Sequence, residues 1–305
     1  MRPYRDEDDY WRIRAFLREV FLLNDRREHS WPVARLDYWR WHVVENCGAL
    51  PNIEDYIFLW ETPDGQLAAV LNPEGRGEVF PQVHPAHATP ALFEEMLDVA
   101  EARLSVEREG QRTLQVWECA GDEVRQAILA RRGYTRGDWP EHAYYRAVGA
   151  TPLPEVALPP GYCVRSLGER DELPARSWAS WRAFHPDEPD EAYQGWAWYD
   201  NIQRMPLYRR DLDIVAEAPD GSIAAFCTLW YDDATRTGMF EPVGTVPEHQ
   251  RRGLGRAVMA EGLRRLARMG GTLAVVGGFN AGARALYDSV MGADVRIYER
   301  WVKNF

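Results

Sequence analysis

The sequence predicts a duplicated mixed α/β fold, and three landmarks that recur in one order carry the prediction. The first is a turn. Pro63-Asp64-Gly65 and Pro219-Asp220-Gly221 each sit between apolar, strand-like runs, 156 residues apart. An Asp-Gly pair between such runs marks a β-hairpin. The second is a strand: Glu78 and Val83 align with Glu241 and Val246 at an offset of 163. The third is a helix start: Asp122 with Ile128-Leu129 aligns with Asn280 and Leu286-Tyr287 at an offset of 158. Near-constant offsets imply two copies of one domain. They cover residues 1–150 and 162–305, joined by the proline-rich linker 151–161.

Each copy alternates short β-branched runs with helical spacing. In the first, a helix is predicted over 8–23 and strands over 57–60, 67–71 and 78–83. A helix over 90–106, a strand over 113–118, a helix over 123–132 and a strand over 142–147 complete it. The second copy repeats the pattern with a strand at 163–166, a helix at 173–184 and strands at 213–216, 223–231 and 238–246. Leu254, Val258, Leu263 and Leu266 lie near helical spacing, and Gly270-Gly271 ends the helix they form, over 254–269. A strand at 272–276, a helix at 281–290 and a strand at 295–302 follow. Residues 186–207 belong to the second copy alone. Trp196, Trp198 and Tyr199 lie there, with Tyr208 just beyond.

Composition narrows the function. A hydrophobic content of 46% supplies two packed cores, while a net charge of −11 argues against nucleic acid as a partner. Cys47, Cys119, Cys163 and Cys227 are far apart and show no zinc spacing, so the expectation is reduced thiols, no metal and a cytoplasmic protein. The polar N-terminus lacks an apolar signal region, and no apolar run is long enough to span a membrane. A monomer or weak homodimer is expected.

The chemistry concentrates in one stretch. Between the strand ending at Val246 and the helix starting at Leu254 lies Gln250-Arg251-Arg252-Gly253-Leu254-Gly255-Arg256. Two glycines let backbone N–H groups converge at a helix N-terminus, where orphan donors attract anions. Arg251, Arg252 and Arg256 add positive charge, so the stretch reads as a pyrophosphate cradle. No Gly-Lys-Ser/Thr is present, which excludes a Walker loop. Gly244 in the preceding strand suggests a bulge or a close backbone approach. Pro242, in what reads as a central strand, has no sequence-level explanation.

The pattern Val246-Pro-x-x-Gln250-x-x-Gly253-x-Gly255 resembles the acyl-CoA loop of the GNAT superfamily of N-acyltransferases. Asn280-x-x-Ala283-x-x-Leu286-Tyr287 is similar to a second signature of that family, although the following Val290-Met291-Gly292-Ala293 has one extra residue and lacks the family's Phe. The resemblance implies two tandem GNAT-like domains and acetyl-CoA as donor, with an amine as acceptor. It implies that Asn280 contacts the pantetheine arm and that Tyr287 is the proton donor; Asn280 also suits a plain helix N-cap. The segment 186–207 would cover the acceptor, although each of its aromatics also fits plain packing. In the first copy, carrying the register from Val83 puts Pro90 at the place of Gly253, Leu92 at that of Gly255 and Leu129 at that of Tyr287. That copy reads as a degenerate domain without cofactor, with His84 and His87 as loop residues. Tandem domains with one eroded half are similar to the mycothiol synthase type.

A protonated amine cannot attack a thioester, so a base is needed. Glu241, on the strand entering the loop, is the candidate. Its apparent counterpart Glu78 weakens that reading, since inheritance alone explains both. Cys227 is set aside as a nucleophile because no His–carboxylate pair is spaced beside it. The expected activity is acetyl transfer to a small-molecule amine. Protein or peptide acetylation and a CoA-sensing module without turnover are the alternatives.

Overall fold

The computed structural model describes residues 1–27, 30–149 and 152–305, so Thr151 of the predicted linker lies outside the described residues. Two compact units are present, Met1–Ala143 with Arg296–Phe305, and Tyr144–Val295. The division falls inside the strand Glu141–Ala147. The chain's last strand, Val295–Asn304, also changes unit. It pairs with Gln111–Cys119 of the first unit, from Tyr298↔Cys119 to Asn304↔Thr113. In return, residues before the linker complete the second unit: Tyr145 N–H donates to Asp294 O at 2.8 Å and Val148 N–H to Thr272 O at 2.9 Å. Apolar alternation marks a strand but not the sheet it joins, which is why the exchange is invisible in the sequence.

The first unit is a sheet in which Phe58–Glu61, Leu67–Asn72, Glu78–Val83 and Gln111–Cys119 are neighbours in that order. The helix Pro90–Arg103 packs Phe93, Met96, Leu97 and Ala100 on the sheet residues Leu71, Val79, Val83, Leu114 and Val116. The predicted helix stops short because Val106–Arg108 pairs back on Gln111–Cys119. Glu109 and Gly110 both have positive φ, 53° and 78°, which suits a two-residue hairpin of the I′ kind. Glu-Gly is not a signature that announces such a turn. The helix Val33–Tyr38 and the π-helical Trp39–Val44 were not foreseen either.

In the second unit the order is residues 144–147, Leu273–Gly278, Thr237–Thr245, Ile223–Asp232, Asp213–Glu217 and Cys163–Ser166. The helix Leu254–Arg268 buries Leu254, Val258, Met259, Leu263 and Leu266 in a core shared with Leu229, Phe240 and Val276. Two features of the strand Thr237–Thr245 position the site. Its parallel ladder with Leu273–Gly278 runs only from Thr237↔Leu273 to Met239↔Val275, so from Phe240 onward the two strands part. On its other side the register shifts: Cys227 pairs with Val243, but Leu229 pairs with Phe240. Thr228 therefore faces both Glu241 and Pro242, which is a β-bulge. This explains Pro242, because a bulged residue is outside the ladder and needs no N–H. Among the described residues no helix is long and apolar enough to cross a membrane.

Candidate active site

The loop after this strand is built from main-chain donors. His249 N–H donates to Val246 O at 2.9 Å and Gln250 N–H to Pro247 O at 3.2 Å. From Arg251 to Arg256, six consecutive N–H groups have no acceptor among the described residues. Gly253 is the N-cap of the helix Leu254–Arg268, at φ 78°, and supplies no side-chain cap. Arg251 is also left-handed, at φ 61°. The two glycines serve different ends. A Cβ on Gly253 would touch nothing within 4 Å, so its φ is what demands glycine. A Cβ on Gly255 would lie 3.2 Å from Leu286 Cδ2 and 3.4 Å from Thr245 Oγ1, so there closeness matters.

The predicted loop side chains divide by role. Val246 and Leu254 are buried in the core and can offer a ligand only their main chain. Gln250 Nε2 donates to Thr245 O at 3.3 Å. Arg252 is tethered, with Nη1 donating to Tyr162 OH at 2.9 Å and Nη2 to Glu248 O at 3.3 Å. Arg251 and Arg256 are exposed and have no acidic partner among the described residues. Asn280 caps the helix Ala281–Met291, its Oδ1 accepting from Ala283 N–H at 2.8 Å. Leu286 of that helix lies against Gly255, in the first turn of the helix Leu254–Arg268.

Tyr287 lies inside this frame. It is buried, with its ring edge-on to Tyr144 at 5.7 Å. A Cβ on Gly278 would come within 2.8 Å of its Cε2, so glycine makes room for the ring. Burial, then the charges of Glu241, Cys227 and Tyr144, push the phenol well above its ordinary value. The Tyr287 hydroxyl has no hydrogen-bond partner among the described residues. Glu241 itself is in the bulge, part-buried, and its main-chain carbonyl accepts the indole N–H of Trp230. Gly244 is outside the bulge. A Cβ there would lie 2.3 Å from Phe226 Cζ, so this glycine answers to close packing. Cys227 is fully buried, and burial first of all pushes its thiol up, which disfavours a nucleophilic thiolate.

One cluster escaped sequence reasoning. Arg176 and Asp213 are both fully buried and joined Nε to Oδ1 at 3.1 Å. Asp213 Oδ2 accepts Tyr199 OH at 2.6 Å and Tyr208 OH at 3.1 Å. Tyr193 OH donates to Ser177 Oγ at 2.8 Å. The aromatic segment is therefore pinned to the core by its hydroxyls. The only signal was a charge inside each of two otherwise apolar runs.

The first unit holds the same frame with a different loop. The two hairpins match residue for residue: Trp60↔Ala69 corresponds to Ala216↔Ala225, each followed by a register shift. Ala69 pairs with Val83, and Ala225 with Thr245. The counterpart of Val246 is therefore His84, not Val83: His84 N–H bonds Ala68 O as Val246 N–H bonds Ala224 O, both at 2.9 Å. The counterpart of the N-cap Gly253 is Thr89, not Pro90. Only Ala88 separates Pro85–His87 from that cap, whereas Gln250, Arg251 and Arg252 separate Pro247–His249 from Gly253. Glu78 is not the counterpart of Glu241 either. Asn72 pairs with Phe80, so Phe80 occupies the place of the bulge, and Glu78 accepts Trp117 Nε1–H at 2.9 Å. No group of three or more His, Cys, Asp or Glu among the described residues could hold a metal.

The chain is similar to several known proteins. Residues 171–293 match the family model described as Acetyltransferase (GNAT) family. A mycothiol acetyltransferase from Kineococcus radiotolerans is 30% identical over 220 residues, covering 67% of each chain. The GCN5-related N-acetyltransferase from Sphaerobacter thermophilus superposes with a TM-score of 0.67 at 18% identity, over 99% of this chain and 94% of that one. A tandem GNAT protein from the clavulanic acid biosynthesis pathway gives 0.65 at 15% identity, over 99% and 97%. At such identities these two likenesses concern the fold.

Proposed function

Because the chain belongs to the GNAT family of acetyltransferases, we propose that its transfer reaction takes place in the second unit, from acetyl-CoA to the primary amine of a small molecule. One observation carries this reading: six consecutive unsatisfied N–H groups, Arg251 to Arg256, where the strand Thr237–Thr245 leaves its parallel neighbour. Oriented N–H groups at a helix N-terminus suit a pyrophosphate, and Arg251 and Arg256 add charge. From Phe240 onward the strand has left its parallel neighbour, and that edge offers main-chain partners to an amide-bearing pantetheine arm. Acetyl-CoA supplies an activated acyl group on a good leaving thiolate.

The protein's own residues then handle two protons. Glu241, directly or through a water, takes one from the ammonium so that the neutral amine can attack the thioester carbonyl. Tyr287 donates to the departing sulfur, and its phenolate is restored by the second proton, which the former amine nitrogen sheds as the amide forms. A free phenol has a pKa of about 10 and a thiol one of about 8.5, so transfer from a phenol raised further is uphill. The Glu241 charge is one cause of that rise. The proton that Glu241 takes from the ammonium removes that charge before the sulfur departs, so this part of the rise is relieved when transfer is needed. Until then the hydroxyl serves as a hydrogen-bond donor to developing charge.

The relative named for mycothiol acetylation supports a compact acceptor, as does the pinned aromatic segment. The test is acetyl-CoA turnover against a panel of primary amines that includes deacetylated mycothiol and a lysine peptide, read by free-thiol release. Turnover with a small amine but not the peptide is expected. No release above hydrolysis with any amine points to a sensing module and sinks the proposal.

A further inference from the structure

The bulge raises a question that the mechanism leaves open: what fixes the direction of Glu241. In a regular ladder the neighbouring strand holds each peptide plane. Here Thr228 faces two residues, and the ladder does not hold both. The Trp230 indole N–H donates to the Glu241 carbonyl at this point. Trp230 is fully buried. Its ring packs on Tyr208, centroids 6.0 Å apart, and Tyr208 OH is tied to the buried Asp213 at 3.1 Å. The donor is thus held on both sides, by its own strand and by the aromatic segment. Pro242 restricts the backbone on the other flank.

The first unit supplies a contrast. Its ladder from Ala69↔Val83 to Asn72↔Phe80 contains no shift. Asn72, a short side chain whose Nδ2 donates to Pro73 O at 3.3 Å, occupies the end of that strand. By that register Asn72 matches Thr228, and Glu74, beyond the strand, stands at the position of Trp230, so the indole donor has no counterpart there.

We propose that Trp230 is a positioning residue: by fixing the 241 peptide plane it aims the Glu241 carboxylate at the acceptor amine. The inference rests on the reading of Glu241 as the base. It makes Trp230, and through it Tyr208, a link between the acceptor-covering segment and proton removal.

The test compares Trp230→Phe, Glu241→Gln and the parent protein, with the panel amine that the parent acetylates fastest. Trp230→Phe keeps a ring and removes the N–H. A kcat loss of about tenfold or more is expected, with KM for acetyl-CoA within about twofold. Glu241→Gln keeps the main-chain carbonyl and should lose about a hundredfold or more. If Trp230→Phe fails to fold, replacing Trp230 by benzothienylalanine removes the N–H at constant shape and is read in the same way. A parent-like kcat in either Trp230 variant, with Glu241→Gln inactive, overturns the positioning role alone. A parent-like kcat in Glu241→Gln removes Glu241 as base, and the inference falls with it.

Discussion

The loops of residues 84–89 and 246–253 start from the same ladder position and end at a helix cap, yet they spend their donors in opposite ways. In the first, Ala86 N–H bonds His84 Nδ1 at 3.1 Å, Thr89 N–H bonds His87 O at 2.8 Å and Leu92 N–H bonds the Thr89 hydroxyl at 3.2 Å. Pro90 has no N–H to offer. In the second, two more residues and a cap without a side chain leave six N–H groups in a row with no acceptor. The helix behind Thr89 meets donors of its first turn from its own cap, while the helix behind Gly253 leaves its donors open to solvent or, as proposed, to a ligand. The neighbouring helix repeats the contrast. Arg125 holds the position three residues after the cap Asp122, paired to the buried Glu118 at 3.0 Å, where the second unit has Ala283 after Asn280. The same frame thus carries a loop with its donors met internally in one unit and a loop with open donors in the other.

The sharpest way to break this comparison is through the chemistry that only the second unit is assigned. Tyr287→Phe should lower turnover by about 10²–10⁴, while affinity for CoA stays within about threefold. Steady-state kinetics and a CoA titration on the same protein separate the two. Lower stability with normal turnover per folded molecule would instead make Tyr287 a packing residue.

Next in size is the loop itself. Deleting Arg251 and Arg252 gives it the length found in the first unit. Losing two charge-assisted hydrogen bonds of about 1.5–3 kcal/mol each should weaken CoA binding about a hundredfold or more. Calorimetry measures the affinity, and circular dichroism checks that the fold survives.

A smaller effect is expected at Gly244. An Ala Cβ would meet Phe226 Cζ at 2.3 Å, so Gly244→Ala should cost about 1–3 kcal/mol in denaturant melts. Adding Phe226→Leu should recover part of it. An unchanged midpoint in the single variant would contradict the packing described.

The smallest concerns alkaline pH. Burial raises the phenols of Tyr199, Tyr208 and Tyr287 above their ordinary value. Below about pH 10 these groups are neutral in both folded and unfolded chains and confer no pH dependence. Above it the unfolded chain loses protons that the folded chain keeps. Stability should then fall, by up to about 1.4 kcal/mol per pH unit for each group. Tyr199→Phe should flatten that slope, and melts at pH 9, 10 and 11 read it.

Much of this was legible in the sequence, and the rest fails for identifiable reasons. Strands such as Glu78–Val83 and Cys163–Ser166 and the helix Leu173–Phe184 follow from local pattern alone. So does the loop: Gly253 and Gly255 both carry the burden their type suggests. Of the bulge or close approach that Gly244 suggests, the close approach is present, to Phe226, while the bulge is at Glu241 and Pro242. What pattern cannot carry is pairing. The exchange of the last strand, the one-residue slip that matched Val83 with Val246, and the apparent kinship of Glu78 and Glu241 are all register questions. Each was decided by a partner far away in the chain. Arg176 with Asp213 was missed for a similar reason, since two lone charges become a site only when folding brings them together.

We propose that the chain holds one acyl-CoA site, at the loop 246–256. Calorimetric titration of the full chain with CoA, repeated after deletion of Arg251 and Arg252, tests it most directly. One CoA per chain is expected, and none at comparable affinity in the deletion variant. Two equivalent sites, or one site that survives the deletion unchanged, would contradict it.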